Sequence, residues 1–374
     1  MNHCELGFGL MRLPLLDQND RTSVDFDKTG SLIGLYLSLG GRYFDTAYKY
    51  CGGQSENAVR ICLTSQYPRD RFLLADKMTL DALSSSSEQE PFFRKQLQKC
   101  NVEYFDRYLI HSLGPLRWQK AQAWDCFSFL ARIKQEGRAK QIGFSYHGDA
   151  KTLDLILSAH PEIDFVQLQL NYLDWNHPVI QSKACWQTAV RHGKKISVME
   201  PLKGGALLSF GQGCKAGFSP SDLGLRFIAE KENVEIVLSG MNGEKQVAEN
   251  MRTMKEPLPL CEEERKELEK ILVRYEQQRV IPCSGCDYCA DQCSAKIPIS
   301  RTLEIYNSYL MTGKASSNLV NSRIYLKNLC ASVGRPSGCL SCGRCERICP
   351  QQIPIRKHLR QIADEMESGI VWPS

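Results

Sequence analysis

The sequence predicts an α/β protein, a (β/α)8 TIM barrel followed by a small, mostly α-helical domain rich in cysteine. Three observations carry this. Eight short apolar, β-rich runs alternate with helical stretches over the first 260 or so residues. Beyond about residue 280 the composition changes, and two clusters of four cysteines with the same spacing follow. The length of 374 residues accommodates one barrel of about 250 and one smaller unit. An apolar fraction of 43% is that of a globular chain and excludes disorder for most of it. No apolar run approaches the roughly 18 residues that span a bilayer. Met1–Glu5 lacks the basic head and apolar core of a secretory leader, so a cytoplasmic location is expected. The excess of 47 Lys and Arg over 42 Asp and Glu is small and scattered, and leaves no footprint for nucleic acid or a membrane.

The strand candidates are Gly7–Met11, Arg42–Asp45, Phe72–Lys77, Tyr108–His111, Ile142–Ser145, Phe165–Asn171, Ile196–Glu200 and Ile236–Ser239. Near-continuous apolar strands separated by helices imply a parallel sheet buried on both faces. Between them, Asp125–Glu136 places Phe127, Leu130 and Ile133 at helical spacing and stops at Gly137. Ser219-Pro220-Ser221-Asp222 resembles a cap ahead of Leu223, Phe227 and Ile228, and Ser84–Ser87 is a short polar loop. The barrel is assigned residues 1–260. A charged helix over Cys261–Arg279 closes it or leads to the next domain, with 261–280 as the link. Residues 281–374 hold both cysteine clusters, separated by helical stretches marked by Tyr306, Tyr309 and Leu310, then by Ile324, Tyr325, Leu326 and Leu329.

Of 17 cysteines, nine are dispersed: Cys4, Cys51, Cys62, Cys100, Cys126, Cys185, Cys214, Cys261 and Cys330. Such residues mostly act as small buried hydrophobes in a reducing compartment. The other eight form C-x2-C-x2-C-x3-C twice, as Cys283, Cys286, Cys289 and Cys293, and as Cys339, Cys342, Cys345 and Cys349 closed by Pro350. Three thiolates at i, i+3 and i+6 grip three corners of a cubane, and the fourth reaches the neighbouring cluster in two-cluster ferredoxins. Zinc sites instead pair C-x2-C knuckles. Two [4Fe–4S] clusters are therefore assigned, one to Cys283, Cys286, Cys289 and Cys349, the other to Cys339, Cys342, Cys345 and Cys293. Ser294 replaces the expected proline, delayed to Pro298, and 45 residues separate Cys293 from Cys339, which points to a helical ferredoxin-like module. From Ile281 onward 11 Lys and Arg face 7 Asp and Glu, an excess that offsets the charge of two cluster-bound thiolate sets. Arg344 and Arg347 lie inside the second motif.

In such barrels the active site lies at the C-terminal ends of the strands. The polar residues there are Asp45, Lys77, His111, Ser145, Asn171, Glu200 and Ser239, with Tyr50 five residues past Asp45. A lysine near a tyrosine hydroxyl stabilises the phenolate and lowers a pKa normally about 10. A carboxylate beside the lysine holds it charged, and a neutral histidine hydrogen-bonds a substrate oxygen. Such a tyrosine acts as general acid while hydride arrives at a carbonyl carbon.

Phe44-Asp45-Thr46-Ala47-Tyr48-Lys49-Tyr50, Leu74-Ala75-Asp76-Lys77, Leu109-Ile110-His111-Ser112, Ile142-Gly143-Phe144-Ser145 and Glu249-Asn250 resemble the aldo-keto reductases in order and spacing, over residues 5 to about 255. With its tail, the chain resembles the branch of that family fused to a C-terminal two-[4Fe–4S] ferredoxin-like domain. The resemblance implies a catalytic tetrad of Asp45, Tyr50, Lys77 and His111. It also implies a nicotinamide cofactor, NADP in preference to NAD, near Ser145, Gln167 and Asn171. Met199, Pro201 and Leu202 would lie along the ring and pyrophosphate, and Ser239, Gly240, Met241, Gln246, Glu249 and Asn250 around the adenosine end. The chain departs from the family at Met199, where many members have an aromatic, at Glu200 in place of a serine, and at Cys51 in place of the glycine after the tyrosine. No basic residue stands plainly ready for a 2′-phosphate, Lys245 beside Gln246 being the nearby candidate.

The expected function is an NAD(P)-dependent oxidoreductase on a small carbonyl or alcohol substrate, coupled to electron transfer through the clusters and to a ferredoxin- or flavodoxin-type carrier. A hydride is two electrons and each cluster takes one, so a flavin between them would help, though no flavin motif is evident. Two alternatives remain: a carbonyl reductase with structural clusters, and a nucleotide-binding redox sensor or electron-transfer module without turnover. The substrate pocket is expected from loops 114–119, 171–177 and 203–217, with Trp118 and Trp175 either as walls or as packing residues. Exposed clusters suit the cytoplasm of an anaerobic bacterium or archaeon.

Overall fold

A computed structural model describes residues 4–210, 218–312 and 316–372. All eight expected strands are present: β1 (Glu5–Gly9), β2 (Tyr43–Asp45), β3 (Leu73–Met78), β4 (Phe105–Leu113), β5 (Ala139–Tyr146), β6 (Phe165–Gln169), β7 (Lys195–Met199) and β8 (Val234–Ser239). They close into a parallel barrel in chain order, with β8 pairing back onto β1. Most strand boundaries shift by one to three residues from the sequence reading, and β1 and β6 each end two residues early. β1 ends at Gly9 rather than Met11 because its partner β2 runs out at Asp45, opposite Gly9. β6 ends at Gln169 because Asn171 turns to bond the backbone N–H of Asp174.

Apolar side chains on the strands meet those of the surrounding helices in one large core, including Phe8, Leu32, Ile33, Phe44, Leu74, Ile110, Phe144 and Val198. Gly7 is small of necessity, since a Cβ there would stand 2.6 Å from the Leu238 side chain. The barrel floor is closed by Arg107, whose guanidinium reaches Gln141, Ser197 and Glu235 and lies over the Phe165 ring. The helices Cys126–Gln135 and Pro220–Ala229 agree with the sequence pattern. Ser219, however, makes no side-chain cap. Its hydroxyl pairs with that of Ser221 instead of accepting from the second or third helical N–H, and Pro220 takes the first helical position, where no N–H is needed.

The helix Glu262–Gln277 leads to the tail, whose regular elements among the described residues are all helical, chiefly Ile299–Met311, Ser316–Leu329 and Ile355–Met366, with irregular chain around the cysteine motifs. Its core joins Ile297, Leu303, Tyr306, Tyr325, Leu359 and Ile362 to Val179 and Ile180 from the loop after β6. The tail is thus seated on the C-terminal end of the barrel. Tyr325 meets the His147 ring edge-on at 5.7 Å, and the Asn328 amide donates to the His147 carbonyl. Of the dispersed cysteines, Cys4, Cys62, Cys100, Cys126, Cys185 and Cys330 are buried, as expected. Cys261 is instead exposed, at the start of its helix. Cys214, and residues 211–217 of the third expected pocket loop, lie outside the described residues. Among the described residues no helix is long and apolar enough to cross a membrane.

Candidate active site and cluster cages

Three of the four expected tetrad side chains sit where a strand ends, and Tyr50 lies in the turn after β2. Asp45 closes β2, and Lys77 and His111 lie in the last turns of β3 and β4. Lys77, fully buried, donates to Asp45 Oδ1 at 2.6 Å and to the Thr46 carbonyl at 2.6 Å. Its Nζ lies 4.8 Å from the centre of the Tyr50 ring, and Tyr50 meets His111 edge-on at 5.8 Å. Burial opposes the Lys77 charge, but Asp45 and Tyr50 outweigh it and raise its pKa. Burial drives His111 well below its ordinary value, reinforced by Lys77 and Arg117, so the imidazole is neutral. The Tyr50 hydroxyl is the correction. Its pKa is raised, not lowered, because burial outweighs the pull of Lys77.

Tyr50 opens a tight turn in which Cys51 has φ 49°, Gly52 59° and Gly53 92°. The left-handed region explains why glycine suits the position that Cys51 occupies. Cys51 is held there by its thiol, which approaches the carbonyls of Leu10 and Met11.

A cavity of about 610 Å³ opens beside the tetrad, between the ends of β7 and β8. Pro201, Leu202, Ser239, Gly240, Gln246, Glu249 and Asn250 line it. Met241 does not. It is buried within the barrel core. Ser145 Oγ accepts from the Ser112 N–H at 2.6 Å, which leaves its own hydrogen to donate. Gln167 Nε2 faces Met199 Sδ at 3.9 Å while its Oε1 is buried without a partner. Both amide hydrogens of Asn171 are committed, to Asp174 Oδ2 and the Glu200 carbonyl. Gln246 Oε1 accepts from the Asn242 N–H, and Lys245 stands 86% exposed, 3.9 Å from Glu249.

Sequence reasoning missed Arg12, which bonds Glu200 at 2.7 Å across this groove and is the one cation among the described residues lining it. It missed the buried Asp174–Lys203 pair, where burial opposes ionisation but Lys203 holds the Asp174 carboxyl below its ordinary value. It also missed a polar seam to the tail. His177 Nδ1 accepts from the N–H groups of Val179 and Ile180, so Nε2 carries the proton and faces Glu304 Oε1 at 3.6 Å. Glu304 takes a forked pair of bonds from Arg279, which also donates to the Cys283 carbonyl at 2.7 Å. Trp175 proves to be a packing residue, 5.5 Å from Trp186 and 5.4 Å from Phe227.

The eight motif cysteines divide between two cavities, and each cavity draws on both motifs. Cys283, Cys286, Cys289 and Cys349 line one, with Leu303, Ile353 and Ile355 as its apolar wall. Cys293, Cys339, Cys342 and Cys345 line the other, beside Ile299 and Leu359. Among the described residues no three His, Cys, Asp or Glu side chains converge closely enough to hold a single metal ion. Four thiols around an apolar space fit a larger group. Burial, then Cys283, pushes the Cys289 thiol up to about 12, so four thiolates there call for the compensating charge that iron supplies. Arg344 and Arg347 stand exposed beside the second cavity.

The sequence model of the aldo/keto reductase family matches residues 5–215, over half of the chain. That of a 4Fe-4S dicluster domain matches residues 282–354. No curated protein matches the chain at a significant level. Among solved structures, the chain is similar to an aldo-keto reductase from Klebsiella pneumoniae in complex with NADPH, at 17% identity and TM-score 0.55, covering 71% of this chain and 90% of that one. It is similar to the holo form of aldo-keto reductase AKR11C1 from Bacillus halodurans, at 21% identity and TM-score 0.57, covering 71% and 91%. An aldo/keto reductase from Brucella melitensis matches at 22% identity and TM-score 0.54, covering 71% and 94%. At these identities the likeness is one of fold.

Proposed function

The chain belongs to the aldo/keto reductase family with a 4Fe-4S dicluster domain behind the barrel, and from that premise we propose that it interconverts a small carbonyl compound and its alcohol with NADP(H), and exchanges electrons through two [4Fe–4S] clusters with a ferredoxin- or flavodoxin-type carrier. The observation that carries the reading is the buried Asp45–Lys77 pair set against the Tyr50 ring, with neutral His111 beside it. When bound, the nicotinamide supplies a hydride and the clusters single electrons.

Tyr50 gives its hydroxyl proton to the carbonyl oxygen as negative charge builds there. Its raised pKa keeps that proton in place until then, and Lys77 stabilises the phenolate left behind. Asp45 holds Lys77 charged and in position, and His111 orients the substrate oxygen. Ser145, with a free hydrogen, and Gln167, with an unpartnered Oε1, complement the two ends of a carboxamide. Asn171, fully committed, acts by fixing Asp174 and the Glu200 backbone. Arg12 offsets the Glu200 charge along the pyrophosphate path. Cys283, Cys286, Cys289 and Cys349 hold one cluster, and Cys293, Cys339, Cys342 and Cys345 the other.

The test is an anaerobic titration of the reconstituted protein with NADPH, then NADH, following the visible absorbance and EPR signal of the clusters. Wild type is compared with Tyr50→Phe, which should lose roughly 10²–10⁴-fold in carbonyl turnover and keep its clusters. Undiminished turnover by the variant would overturn the tyrosine's role. Tight nucleotide binding without cluster bleaching would separate the two halves into a hydride-transfer barrel and clusters served by another partner.

A further inference from the structure

The mouth of the barrel on the side of β3 and β4 is short of negative charge. Arg117 fixes Asp81 through Nη2 at 2.6 Å and holds the Ser112 carbonyl at 3.0 Å, directly after His111. Ser112 is kept at φ 59°, so this clamp sets the backbone beneath the tetrad histidine. Lys120 Nζ donates to the Leu80 carbonyl next to Asp81. Lys49 adjoins Tyr50 in the chain, and Lys327 comes from the tail helix Ser316–Leu329, beside the Asn328 that reaches the His147 carbonyl. Neither Lys49 nor Lys327 has a salt bridge of its own among the described residues. Four cations therefore gather around one carboxylate.

The titration of the surrounding groups agrees. Burial and then Arg117, Lys49 and Lys327 act on Asp81. Burial and the neighbouring cations Arg117 and Lys120 push Lys327 down, against the pull of Asp81. Lys49 and Arg117 also reach His111. The nucleotide groove lies elsewhere, between β7 and β8, with Arg12 as its cation, so phosphates bound there do not use up this charge.

We propose that the substrate carries an anionic group, a carboxylate or a phosphate, received by Lys49, Arg117 and Lys327, so that the cluster domain contributes one of the residues that select it. This rests on the carbonyl–alcohol reading above. Charge at such a mouth draws in the anion and orients it, while the tetrad meets the carbonyl at its other end.

The test uses the full-length, cluster-loaded protein and three aldehydes of equal chain length, ending in a carboxylate, a phosphate monoester and a methyl ester. One of the anions should exceed the ester in kcat/KM by about tenfold, mainly through KM, and lose the advantage as salt rises. Which anion leads identifies the group. Lys327→Gln and Lys49→Gln should each narrow the ratio, and the double variant should bring it near one. Equal kcat/KM for ester and anions overturns the proposal.

A second arm does not depend on turnover. Malonate and inorganic phosphate are titrated against the intrinsic tryptophan fluorescence, to which Trp124, 4.1 Å beneath Lys120, contributes. Saturable binding that the double variant loses, without turnover of any aldehyde, keeps the anion site and defeats the carbonyl reading. Turnover without anion preference or binding does the reverse.

Discussion

The barrel buries side chains such as Leu32, Ile33, Phe44, Phe144 and Val198 in a continuous belt between strands and helices, and that belt needs nothing from outside the chain. The tail has a smaller core in which Cys289 and Cys345 are themselves buried members, with Cys283, Cys293, Cys339 and Cys349 packed against them. In the first region apolar burial sets the fold, and the chemistry is added at the strand ends. In the second the chemistry and the core are the same residues. The difference teaches where each half is vulnerable, and three experiments break or sharpen it.

The largest effect is expected from iron removal. Anaerobic chelation should expose the tail to hydrogen exchange and proteolysis from about residue 281 onward, while the barrel keeps its own unfolding transition. A tail as protected as before would erase the contrast. Next is Lys77→Met, which leaves the buried Asp45 carboxyl without its partner inside the barrel. It should cost about 3–5 kcal/mol in urea unfolding of the barrel and leave the cluster spectrum unchanged.

The smallest effect per residue comes from acid. Burial lowers His147 to about 3 and His177 to about 4, and drives His111 down as well. An imidazole whose folded pKa lies below its unfolded value of about 6.5 binds its proton more readily once the chain unfolds. The stability is therefore complete above about pH 6.5 and falls as pH drops toward 4, by about 1.4 kcal/mol per unit for each histidine. All three lie at the barrel's C-terminal end, so thermal melts of the barrel should follow this slope. A barrel melt flat from pH 6.5 to 5 would contradict it.

Much of this was legible in the sequence because it rests on spacing. Alternating apolar runs placed the eight strands, and Asp45, Lys77 and His111 stood out as polar ends of apolar strands. The two cysteine motifs announced themselves by repetition, and their pairing across two cavities follows the same spacing. What spacing does not encode is three-dimensional competition. Whether burial or Lys77 governs Tyr50 depends on how much water the folded mouth admits. Arg12 meeting Glu200, and His177 meeting Glu304, join residues more than a hundred positions apart, with no local pattern to mark them. Met241 follows Ser239 and Gly240, which line the groove, yet is itself buried in the core, a difference no local pattern marks.

Because each cavity takes three cysteines from one motif and one from the other, the 45 residues between Cys293 and Cys339 form a loop tied at both ends. Under the ligation proposed above, closing that loop is a matter of iron–sulfur bonds, and its slack is fixed by them. Tyr325, Lys327 and Asn328 ride on this loop above the barrel mouth. The segment that shades the active site is thus a clasped strap rather than a free arm. Undoing the clasp would loosen the doorway to the tetrad before disturbing any residue within it.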